Sequence, residues 1–118
     1  MIITGHLDTR HLEGENRQLL APLQVNWQGK EFEVPTDFVT DLASVPRGFR
    51  WLIPKGRNES RGAVVHDFIY RGNCRIKFTR AEADQLFLDA MEENGVGWVR
   101  RKAIYGAVRA GGMFSWRG

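Results

Sequence analysis

The sequence predicts an α+β protein: a small N-terminal antiparallel β-sheet or hairpin, a long packed loop, and three C-terminal helices. Three observations predict it. Leu23, Val25 and Trp27 alternate with polar residues, and Phe32 and Val34 resume that alternation after a Gln28-Gly29-Lys30 turn, which is a hairpin pattern. Thr79 followed by Glu82 opens a helix with a capping box, and Ala83, Leu86, Phe87, Ala90 and Met91 recur at helical spacing behind it. Between these halves, residues 37–59 carry Pro46, Gly48, Pro54 and Gly56 among Phe38, Phe49, Trp51 and Leu52. So many large apolar residues imply a loop folded against the body, the kind of segment on which sites are often built.

The elements follow in order within one expected domain over residues 1–118, β-rich over 1–36 and helical over 60–112. Ile2 and Ile3 start a short apolar strand, and Pro35 ends the second hairpin strand because proline cannot donate to the ladder. The first helix spans about Ser60 to Tyr70 as an amphipathic segment, with Gly72 and Asn73 as stop signals. The second runs from the Thr79 cap to Asn94-Gly95, and the third from about Trp98 to Arg109, stopping at Gly111-Gly112.

Composition excludes several classes. A 42% hydrophobic and 26% charged chain is that of an ordinary globular protein rather than a disordered one. No apolar run approaches the roughly 20 residues of a membrane span, and MIITGHLDTR lacks the basic-then-apolar pattern of a signal peptide. The single cysteine, Cys74, rules out an intramolecular disulfide and reads as a small, partly buried side chain. The net charge of +3 is uneven: residues 47–61 and 95–118 are basic, whereas 79–94 carry Glu82, Asp84, Asp89, Glu92 and Glu93 against Arg80 alone. The basic segments either pair with the acidic helix or offer a surface to phosphates, including an anionic lipid surface; no sequence-specific nucleic-acid binding is expected.

Chemistry concentrates in residues 63–91. His66 and Tyr70 share one helical face at a spacing of four, while Asp67 is rotated by about 100°. If the second helix packs antiparallel on the first, Asp84 comes within reach of His66. Neutral His66 then takes a proton from water, and Asp84 fixes its tautomer and stabilises the imidazolium. Tyr70 supports that carboxylate, and Asp67 is placed to hold a hard cation such as Ca²⁺ through oxygen. The bland alternative pairs Asp67 with Arg71 and Asp84 with Arg80 or Lys77, leaving a purely architectural cluster. Asp41 either caps its own turn or, with Ser44, supports the His66 site. His6 and His11 are weaker candidates as additional metal ligands.

Four blocks in order resemble a family of small phage and prophage proteins of unassigned function: residues 40–47 (TDLASVPR), 63–70 (AVVHDFIY), 83–91 (ADQLFLDAM) and 104–109 (IYGAVR). That resemblance implies a viral origin, with the protein in the host cytoplasm during infection or in the virion. Its partners would be other phage structural proteins or further copies of itself. Within it, His66-Asp67, Tyr70 and Ala83-Asp84 are similar to the catalytic core of phospholipases A2, which implies His66 as base, Asp84 as its orienting acid, Asp67 on Ca²⁺ and Tyr70 in support. Residues 51–58 (WLIPKGRN) stand where a calcium loop would lie, yet Ile53 and Lys55 replace the glycines such a loop uses. The expected functions are therefore a hydrolase of a lipid or cell-envelope ester, a non-catalytic tail or baseplate component, or an effector that binds a host factor.

Overall fold

The computed structural model describes residues 1–14, 16–41, 45, 47–52 and 60–117. Six short strands precede three helices: β1 (Ile3–Thr4), β2 (Thr9–His11), β3 (Arg17–Leu19), β4 (Leu23–Trp27), β5 (Lys30–Val34), β6 (Val39–Thr40), then α1 (Arg61–Tyr70), α2 (Arg80–Glu93) and α3 (Trp98–Gly111). The α+β expectation holds, but the β-half comprises two three-stranded antiparallel sheets, ordered β1-β4-β5 and β2-β3-β6. Strand β6 and a 3₁₀ turn over Arg47–Leu52 lie in the segment expected to be loop.

The β4–β5 hairpin is the best-specified unit. Leu23 faces Val34 and Val25 faces Phe32, so one side of the ribbon is apolar and buried while Gln24 and Glu33 face outward. Its two-residue link, Gln28-Gly29, has positive φ at both positions (48° and 81°), the backbone twist that matches a two-residue hairpin. Glycine supplies the second position without strain.

Helix α1 departs from the expected amphipathic pattern, since all ten of its residues are buried. It carries apolar residues on every side, as a central helix must. Phe68 packs against Phe32 and Phe38 from the β-half (ring centroids 6.2 and 5.1 Å), while Gly62 meets Phe87 and Ala90 of α2. A Cβ on Gly62 would lie 3.2 Å from the Phe87 ring, so a small residue permits the close helix approach.

Contacts along the helices fix their directions. Arg61 at the start of α1 reaches Asn94 just past α2, and Tyr70 at the end of α1 reaches Asp84 near the start of α2, so the two run antiparallel. Arg101–Glu92 and Arg109–Asp84 set α3 antiparallel to α2 in the same way. Basic residues of α3 thus pair with acids of α2, as the charge pattern suggested.

Helix α2 begins as predicted: Thr79 accepts from the Glu82 amide and the Glu82 carboxylate accepts from the Thr79 amide. Helix α3 runs on to Gly111, two residues beyond the expected end. Arg80 extends it by donating to the terminal carbonyls of Val108 and Arg109 (3.0 and 3.1 Å), a cationic C-terminal partner that favours further turns. Two apolar clusters result, one between the β-half, α1 and α2, the other mainly between α2 and α3. Among the described residues, no helix is long and apolar enough to cross a membrane.

Candidate functional site

His66 lies at the junction of the two apolar clusters. Its ring is flanked by Tyr70 of the first cluster and Phe87 of the second, at centroid distances of 4.2 and 4.6 Å. Its Nε2 is 2.6 Å from Asp84 Oδ1, and the Tyr70 hydroxyl donates to the same oxygen at 2.5 Å. Arg109 Nη1 donates to the other oxygen, Oδ2, at 2.8 Å, with Arg80 3.7 Å away. The helical spacing of His66 and Tyr70 aims both at α2, and the antiparallel register delivers Asp84 between them. Arg109 was not a candidate from sequence; its place here depends on the α2–α3 register, and its only sequence signal was the basic character of the third helix.

The protonation states follow from these contacts. Burial is the largest influence on Asp84 and pushes its carboxyl up. The hydrogen bonds from His66, Tyr70 and Arg109 together outweigh burial and hold it below the ordinary carboxylate range. An ionised Asp84 only accepts, so Nε2 of His66 carries the proton and donates. Burial pushes the imidazole below its ordinary 6.5, against the opposing pull of Asp84, and keeps it neutral. Burial and the Asp84 carboxylate push the Tyr70 hydroxyl up, so it remains a donor. This is the protonation pattern that a histidine base and its orienting acid require.

His66, Asp84 and Tyr70 are each 0% exposed. The groups converge, but the spot they share is interior rather than an open cleft. The segment after α3 contributes to the covering: Trp116 packs edge-on to Tyr70 at 5.0 Å, and the Arg117 amide donates to the Tyr70 carbonyl. A Cβ on Gly112 would stand 2.7 Å from the Tyr70 hydroxyl and 3.1 Å from its ring. Gly112→Ala is therefore expected to cost about 1–3 kcal/mol through overpacking, measured as a lower urea midpoint. Its φ of −67° suits alanine, so the loss would be steric alone.

Asp67 faces elsewhere. Its Oδ2 accepts from Thr40 Oγ1 of β6 at 2.7 Å and lies 3.3 Å from Nε of Arg71, the i+4 partner that the sequence offered. Arg71 also donates from Nη2 to Asp41 Oδ1 at 2.6 Å. Asp41 is thus linked to Asp67 through Arg71. Asp41, Asp67 and Arg71 line a cleft of about 460 Å³ with Asn73, Phe114, Ser115 and Arg117. Burial raises the Asp67 carboxyl, against the lowering effects of Thr40 and Arg71.

A Ca²⁺ role for Asp67 does not fit the described residues. Its Oδ2 is engaged by a hydroxyl and a guanidinium. No group of three His, Cys, Asp or Glu side chains among the described residues could hold a metal ion, which leaves out His6 and His11 as well. Ser44 and most of the expected calcium loop, residues 53–58, lie outside the described residues. Cys74 is part-buried, and burial pushes its thiol up, away from the reactive thiolate.

These shifts predict a pH dependence of stability. The unfolded chain binds a proton at His66 near 6.5, and the folded chain resists it. The stabilisation from His66 is fully present above pH 6.5 and is lost as pH falls from there through the folded value. Asp84 adds a loss at more acid pH, below 3.8, whereas the raised Asp67 acts in the opposite sense and favours the folded state as pH falls. Between pH 7.5 and 5, the urea midpoint of the wild type should therefore fall more steeply than that of His66→Gln.

No curated protein and no solved structure matches the chain. Compared with known families, residues 17–108 match the one described as protein of unknown function (DUF1353). That match takes in β3 to β6, the helices α1 and α2 that carry His66, Asp67 and Asp84, and α3 as far as Val108, and the chain belongs to the DUF1353 family.

Proposed function

We propose that the protein is a phage-encoded hydrolase in which His66 and Asp84 activate water against an ester of a lipid or of the cell envelope. One observation carries this reading: a neutral imidazole bonded at 2.6 Å through Nε2 to an ionised carboxylate, itself held by Tyr70 and Arg109. His66 takes a proton from water as the oxygen attacks the ester carbonyl, and the same proton then passes to the departing alkoxide. Asp84 stabilises the imidazolium between the two steps. Tyr70 and Arg109 position Asp84 and do not touch the substrate.

The interior setting of His66 favours a second reading, a non-catalytic virion component in which the network pins three helices together. Exposed Trp51 (71%) and Phe114 (87%) would then serve contacts with other copies or with other structural proteins. Anionic phospholipid vesicles incubated with purified protein, with Ca²⁺ or with chelator, separate the two. The hydrolase reading expects released fatty acid from the wild type and a loss of about a hundredfold or more in His66→Gln, with circular dichroism unchanged. Equal background from both proteins would leave the virion component.

A further inference from the structure

We propose that Arg71 occupies the electrostatic role of a divalent cation at the Asp41–Asp67 cleft, so that the site carries a built-in positive charge and works without metal. That the site works without metal rests on the hydrolase reading; the occupancy of the role by Arg71 does not.

Three observations support it. Arg71 bridges the two carboxylates, with Nη2 on Asp41 at 2.6 Å and Nε 3.3 Å from Asp67, so the point between them already holds a positive charge. The guanidinium is fixed from several sides. As the C-cap of α1 it stands at i+4 from Asp67, its amide donates to the Asp67 carbonyl, and its guanidinium carbon lies 5.8 Å from the centre of the Phe38 ring. Finally, Asp67 Oδ2 also accepts from Thr40 Oγ1, which leaves that oxygen poorly available to an ion that takes six to eight oxygen ligands.

A guanidinium does not lose its proton in a protein, so this charge persists across the working pH range. A Ca²⁺ entering the cleft would meet Arg71, with Arg117 also on the lining, and would have to displace a paired cation rather than fill a vacant carboxylate site. The same two carboxylates would become attractive to a divalent ion once the arginine charge is removed. Arg71 is thus a positioning residue: it aligns Asp67 and Asp41 and balances their charge.

Calcium binding by calorimetry, with CaCl₂ as the only ligand, tests this without any assay of activity. Wild type and Arg71→Lys, which keeps a positive charge, are expected to show no saturable binding at millimolar Ca²⁺. Arg71→Gln, if folded by circular dichroism, is expected to bind at least about tenfold more tightly than either, and to lose that binding when Asp67→Asn is added. Saturable binding by the wild type that disappears in Asp67→Asn overturns the proposal. A folded Arg71→Gln with no gain in Ca²⁺ affinity overturns it as well. Should Arg71→Gln not fold, the wild-type titration and its Asp67→Asn control decide alone. Failure of the vesicle assay would remove the hydrolase reading and leave this binding result intact.

Discussion

Asp84→Ala is expected to lower stability by about 3–5 kcal/mol, the cost of removing one member of a buried charged network. The carboxylate is fully buried and accepts from His66, Tyr70 and Arg109, so its loss strands three donors at once. Those donors belong to α1 and α3, and Asp84 stands between them on α2. The substitution therefore loosens the three-helix junction rather than one local contact. Asp84→Asn keeps the shape and loses the charge, and it should fall between wild type and alanine. Urea unfolding of the three proteins checks the order, and a wild-type midpoint for Asp84→Ala would show that the network contributes nothing.

Phe87→Ala should cost a similar amount, about 3–5 kcal/mol, through loss of buried aromatic surface and the cavity left behind. Phe87 is 1% exposed, lies 4.6 Å from the His66 ring and also fills the space that Gly62 leaves on α1. Its removal has a second consequence. Burial is what holds the imidazole below 6.5, so a cavity that admits water beside it should let the His66 pKa rise toward that value. Stability falls and the imidazole becomes easier to protonate, two readouts from one change. An unfolding curve and an NMR titration of the His66 ring measure them; a destabilised protein with an unmoved imidazole would mean that Phe87 does not control its hydration.

How far the sequence disclosed these features depended on whether each signal was local. The Thr79–Glu82 capping box and the Leu23–Val34 hairpin are written in adjacent residues, and both appear where expected. The strands Thr9–His11, Arg17–Leu19 and Val39–Thr40 are two or three residues long, too short to display a period, and are specified by pairing with one another. Burial on all sides of α1 was hidden for a related reason. Its His66 and Asp67 resemble a polar face until α2 and β6 supply Asp84 and Thr40 as partners.

The site divides along the same line. The spacing of His66 and Tyr70 and the i+4 relation of Asp67 to Arg71 are properties of a single helix and were legible. The hold of Arg109 on Asp84 joins residues of two helices, and no local pattern announces it. Nor did sequence disclose the depth of the site, because the covering of Tyr70 by Trp116 and Gly112 arises only when the segment after α3 folds back.

The claim at the centre is that His66 stands neutral, with its proton on Nε2 and its bond directed to an ionised Asp84. Nitrogen-15 NMR of the imidazole, followed from pH 8 to 5, reads both points directly. The expected spectrum shows the neutral Nε2–H tautomer at pH 7, with protonation beginning only below 6.5 and the signal altered by Asp84→Asn. A doubly protonated ring at pH 7, or a neutral ring carrying its proton on Nδ1, would contradict the arrangement and with it the proposal that His66 acts as a base.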